Sequence, residues 1–112
     1  MFVNDMVFFN KSALDDIEEI FVGLLEWGTK GNRQPIMTFD EVWNYRNDLF
    51  NIGNSLDTLP FDAKVQYDTH KQYGQFVYRY NRNRHTQWYF IYNKTGNNVF
   101  INKIISNYLT VC

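Results

Sequence analysis

The sequence predicts an α+β domain in the order β-α-α-β-β-β, a helical hairpin laid against a sheet. Three observations predict it. Residues 73–108 hold three runs of aromatic and β-branched residues, separated by breaks rich in Asn and Gly. Two amphipathic stretches, each opened by a capping signal, occupy residues 12–55. A short apolar run, Met6-Val7-Phe8-Phe9, precedes them with no tight turn behind it, so its strand partner must come later in the chain.

Taken in order, Met6–Phe9 reads as the first strand and stops at Asn10. Ser12 is the expected N-cap of the first helix, with Asp15 three residues on as a short-armed capping box. Asp15, Asp16, Glu18 and Glu19 crowd its first turns, where the helix dipole favours negative charge. Ala13, Ile17, Ile20, Phe21, Leu24 and Leu25 make its apolar stripe, which runs to Trp27 and closes at Gly28. Residues 28–37 are loop by composition. Thr38-Phe39-Asp40-Glu41 is a full capping box, so the second helix starts at Phe39 and fades near Ser55. Its stripe is Phe39, Val42, Trp43, Arg46, Leu49, Phe50 and Gly53, the glycine allowing a neighbouring backbone to approach closely. Trp27, Phe39, Trp43 and Phe50 are assigned to the core. Residues 61–72 show no clear pattern and read as an irregular arm carrying His70 and Lys71. The meander follows as Phe76–Tyr80, Gln87–Tyr92 and Val99–Ile105, joined by breaks too short for anything but antiparallel neighbours.

At 112 residues the chain has room for a single domain, 1–112, of one sheet and one helical layer. Apolar residues at 45% and aromatics at 19% place the chain among globular proteins and away from disorder. Cys112 is the single cysteine, which excludes a disulfide framework, and with only two histidines it cannot complete a zinc site. No metal or cofactor is expected. The N-terminal run has an acid at Asp5 and no basic segment before it, and no stretch reaches a membrane span. A soluble, cytoplasmic protein without a membrane partner is expected.

Net charge is −1, yet residues 1–61 hold four basic and ten acidic residues while residues 62–112 hold seven basic and two acidic. That division suits an anionic partner for the basic half, or acidic helices and a basic sheet that neutralise each other within one fold. Arg79, Arg82 and Arg84 flank a strand-to-turn junction that also holds His85, Tyr78, Tyr80 and Trp88. Guanidinium groups contact phosphate and flat rings stack on exposed bases, which suits RNA. The alternative is a solvated hairpin tip with ordinary cross-strand aromatic pairs. His70 and His85 are candidate general acids or bases. Lys103 interrupts an apolar strand and is a functional candidate if it shares a face with Ile101 and Ile105.

The local text resembles the RelE/ParE superfamily of toxins from bacterial type II toxin–antitoxin systems. Val7-Phe8-Phe9-Asn10-Lys11-Ser12-Ala13-Leu14-Asp15-Asp16-Ile17 is similar to the family's opening strand and S-x-x-A-x-x-D-L helix start. Trp88-Tyr89-Phe90-Ile91-Tyr92 stands where the family carries Y-R-V-I-Y, and residues 100–107 resemble its last strand and the polar segment after it. The resemblance implies a RelE/ParE-like fold and a toxin held by a cognate antitoxin protein. It implies action on the ribosome and mRNA as a ribosome-dependent endonuclease, or, in a second version, a non-catalytic toxin directed at DNA gyrase. A divergent member without toxicity is the third version. Arg79 falls at a family position for a sheet cation. Tyr89 and Asn107 stand where family arginines are common, two departures that remove charge. The resemblance thus nominates Arg79, His85 and Tyr108 for catalysis and Arg79, Arg82, Arg84, Lys103 and Asn107 for RNA phosphate.

Overall fold

The computed structural model describes residues 6–29, 38–82, 84 and 86–106. Its elements are β1 (Val7–Phe9), α1 (Lys11–Thr29), α2 (Phe39–Asn54), a 3-10 turn (Leu56–Thr58), α3 (Asp68–Lys71), β2 (Phe76–Asn81), β3 (Gln87–Thr95) and β4 (Asn98–Ser106). The chain is an α+β structure with a helical hairpin and a four-stranded sheet. Strand order is β1-β4-β3-β2. The meander is antiparallel as expected, while β1 lies parallel to β4, so the sheet is mixed.

Helix α1 starts two residues earlier than Ser12 would have it. The amide of Leu14 donates to the carbonyl of Asn10 at 3.0 Å, so Ser12 lies inside the first turn and Lys11 pairs with Asp15 across it. The reason is tertiary: the Asn10 amide donates to the Ile101 carbonyl at 2.9 Å, which ends β1 and launches the helix in one step. Helix α2 begins as its capping box dictates, with the Thr38 hydroxyl accepting from the Glu41 amide at 3.2 Å. Its buried face is Val42, Tyr45, Leu49 and Gly53. Phe39 and Trp43 stack on each other instead and stay 58% and 44% exposed, outside the core assigned to them. Tyr45 wins the inward position because its hydroxyl accepts from the Trp88 indole N–H at 2.8 Å, satisfying a donor that burial would otherwise strand. Gly53 is closely approached, by a side chain and not by the expected neighbouring backbone: a Cβ there would stand 2.5 Å from the Phe9 ring.

One core joins Ala13, Ile17 and Ile20 of α1, Tyr45 and Leu49 of α2, Trp88, Phe90 and Tyr92 of β3, and Val99, Ile101 and Ile104 of β4. Along β4 the inward set switches phase between Ile101 and Ile104. A bulge does this, since Tyr92 pairs with Ile101 and Ile91 with Lys103, leaving Asn102 the extra residue. Gly96, at φ 62°, takes the first central place of the tight β3–β4 turn.

The arm is more ordered than its composition suggests. Asp62 accepts from the Tyr92 hydroxyl at 2.7 Å and from Lys94 at 3.1 Å. Residues 63–65 then line the outer edge of β2, with Val77 N–H donating to Ala63 and Val65 N–H donating to Gln75. The chain next crosses the sheet face away from α1 and α2, where Gly74 lies against Ile91 and the Tyr92 carbonyl, and Tyr73 accepts from Asn102. Ile91 is thereby fully buried on that second face.

Asp16, nearly buried on α1, ties the layers together. Its carboxylate accepts from the Ile104 amide at 2.9 Å and from Lys103 Nζ at 2.8 Å. Asp16→Ala removes both acceptors at once and is expected to lower unfolding free energy by about 2–3 kcal/mol. Urea denaturation checks this, and a loss under about 0.5 kcal/mol, the scale of an ordinary surface change, would count against it.

Candidate functional site

The second sheet face gathers what chemistry the described residues offer. Residues of β2 alternate between faces, so Tyr78 and Tyr80 turn to the helices and Arg79 turns away, opposite Tyr89 of β3. The Tyr89 hydroxyl donates to Gln87, and Arg79 Nε donates to Asn81 at 3.2 Å. Above Tyr89 sits α3. The His70 ring lies 5.4 Å from that of Tyr89 and 5.3 Å from that of Tyr67, centroid to centroid, and the two tyrosine rings meet edge to face. Tyr67 is 60% exposed. The result is a cation beside a cluster of rings, one of which carries ring nitrogens.

His70 is not a solvated loop residue. It is buried, and its Nδ1 has no hydrogen-bond partner. Burial lowers its pKa below the ordinary 6.5, because the imidazolium would lose hydration with nothing in exchange. The histidine is therefore a neutral ring at physiological pH, able to accept a proton but not to serve as a resident cation.

The sequence-derived candidates are dispersed. Arg79 and Arg84 are exposed. Arg82 lies on the helix side, its guanidinium 3.6 Å above the Tyr45 ring and its Nη1 3.1 Å from Asp48. Lys103 is held between Asp16 and the ring of Tyr73, and the hydrogen bond from its ammonium to Asp16 raises its pKa. Thus Arg79 and Arg82 belong to opposite sides of the sheet, and Lys103 is spoken for by a carboxylate. His85, Asn107 and Tyr108 lie outside the described residues. Among those described, no group of three or more His, Cys, Asp or Glu side chains could hold a metal, and no helix is long and apolar enough to cross a membrane.

Compared with family models, curated proteins and solved structures, the chain matches none. The site therefore stands on its own geometry. Sequence reasoning took Tyr89 only as a departure from a family arginine and passed over Tyr67 altogether. The signal was the alternation of Val65 and Tyr67, followed by His70 three residues on, a strand-to-helix switch too short to register as a pattern.

The burial of the His70 imidazole has a measurable consequence. A histidine whose folded pKa is depressed stabilises the fold above its unfolded value and loses that contribution as pH falls toward its folded value, because the unfolded chain takes up the proton first. Stability of the native chain is expected to drop as pH falls from 7.5 past 6.5, the ordinary value, toward 5.5. Chemical denaturation across that window should show a shallower slope for His70→Leu, and equal slopes for the two would refute the assignment.

Proposed function

We propose that this chain is the toxin of a bacterial type II toxin–antitoxin system, RelE/ParE-like in fold, and that it inhibits translation as a ribosome-dependent mRNA endonuclease. One observation carries the reading: Arg79 stands exposed on the sheet face opposite the helices, cross-strand from Tyr89, whose ring meets those of His70 and Tyr67. Rings stack on splayed bases, and a cation beside them stabilises charge that develops on a phosphate during attack by the adjoining 2′-hydroxyl. Arg79 and Arg84 are the phosphate-facing cations in this reading, and His85 and Tyr108 the proton-transfer candidates. The resemblance in sequence supports it at the opening strand, the β3 text and the last strand. A cognate antitoxin protein is the expected partner. Phe8, Phe39, Trp43 and Phe61, all exposed, are apolar surface for such a segment to cover. Cytoplasmic action on the ribosome and mRNA follows from this reading.

The second reading, a non-catalytic toxin of the same kind such as one directed at DNA gyrase, is favoured by a different observation. Two of the nominated cations, Arg82 and Lys103, are engaged by Asp48 and Asp16 and are not presented as phosphate ligands.

Induced expression in a sensitive bacterium, followed by primer extension on cellular mRNA, separates the two. The wild-type chain is expected to arrest growth and to leave fresh cuts within translated codons. Arg79→Ala is expected to reduce cutting about 100-fold or more, the scale of losing a preorganised charge at the reacting phosphate. Arrest with intact mRNA would select the gyrase-type reading, and growth without arrest would remove both.

A further inference from the structure

Arg82 has a different task from the one its place in an arginine-rich turn suggests. It is the first residue after β2, and its amide donates to the Thr86 carbonyl at 3.0 Å, which closes the β2–β3 turn. Its side chain leaves the turn for α2, where the guanidinium lies over the Tyr45 ring at 3.6 Å and pairs with Asp48 at 3.1 Å. Tyr45 in turn accepts from Trp88, one residue into β3. The turn is thus stapled to one helix from both of its strands. A planar guanidinium can stack on a ring and meet a carboxylate at its edge at the same time, whereas a lysine ammonium cannot.

We infer that Arg82 is a positioning residue, a clamp that docks the β2–β3 turn on α2 and so fixes where Arg84 is presented to a polyanion. The claim deepens the proposed function and rests on it for the polyanion. The clamp itself does not.

The test uses the full chain, a fluorescein-labelled single-stranded 12-nucleotide RNA, anisotropy titrations from 50 to 300 mM KCl, and amide hydrogen exchange. Asp48→Asn is the informative variant, because it removes a negative charge and would by itself favour RNA. A clamp requires the opposite: affinity falling about threefold or more, with a salt slope unchanged because no phosphate contact is lost. Arg82→Gln should do the same, Arg82→Lys should not restore binding, and Asp48→Asn should add nothing once Arg84→Gln is present. Exchange at the Arg82 amide should rise about tenfold in Asp48→Asn and Arg82→Gln, while the β3–β4 amides stay protected. A direct phosphate ligand behaves otherwise: Asp48→Asn binds as well or better, Arg82→Lys restores binding, and Arg82→Gln lowers the slope by about one. That pattern, or unchanged exchange at Arg82, overturns the clamp. If the chain binds no RNA, the function proposal fails, and the exchange data alone decide whether the clamp exists.

Discussion

A three-residue strand cannot complete the edge of a nine-residue neighbour, and the carboxylate of Asp16 supplies what is missing. β1 pairs with Val99–Ile101 only, so the Ile104 amide, which faces the same edge, would be left without a partner where β1 has already given way to α1. A buried amide without an acceptor is costly, and a carboxylate is the strongest acceptor a helix can bring to it. Because Asn10 fixes the start of α1 against Ile101 and Asp16 fixes its second turn against Ile104, the helix has one possible line across β4. The Asn102 bulge belongs to the same constraint. It turns Ile104 inward and leaves Lys103 within reach of Asp16, so that the charge entering the protein is neutralised where it enters.

Once the helical hairpin holds one face of the sheet, the other face has to be closed by what remains of the chain. The arm does this at the cost of little secondary structure of its own. Asp62 anchors its start on Tyr92 and Lys94, residues 63–65 cover the β2 edge that would otherwise invite strand pairing, and Tyr73 and Gly74 return it to the sheet. Between those anchors the chain lays down Tyr67 and His70 over Tyr89. The ring cluster beside Arg79 is thus a product of how the second face is closed, which places the candidate chemistry on the arm as much as on the strands.

What could be read beforehand follows the range of the interactions. The T-x-x-E cap of α2 and the three meander strands are encoded within a few residues or by the period of the strand, and each is where the text puts it. The start of α1 was misplaced because Ser12 is a good local cap that loses to a backbone hydrogen bond from Asn10 to Ile101. The face of α2 was misread at Phe39 and Trp43, since helical spacing alone does not choose between a stripe through Trp43 and one through Tyr45. The choice came from Trp88, a donor 43 positions away. Likewise the partners of Arg82 and Lys103 are 34 and 87 positions distant, beyond any local pattern. Arg79 was legible as a sheet cation but not its face, which the packing of Tyr78 and Tyr80 on the core decides.

The division of charge along the sequence takes on a different meaning in three dimensions. Arg82 and Lys103 of the basic half pair with Asp48 and Asp16 of the acidic half, Lys94 pairs with Asp62 within the basic half, and Arg46 pairs with Glu18 within the acidic half. Part of the apparent basic surplus is therefore spent inside the fold, where Arg82 holds turn to helix and Lys103 holds strand to helix. Among the described residues Arg79, Arg84 and Lys64 have no carboxylate partner. With a net charge of −1 the molecule has no broad positive field to draw an anionic partner from a distance. Recognition of a polyanion would have to come from a few exposed guanidinium groups and the rings beside them, acting at contact. Such a surface gains from having its arginines held in fixed places, because each phosphate contact then forms without ordering a mobile turn first. The ion pairs that empty the sequence of its free charge are, on this view, what make the remaining charge directional.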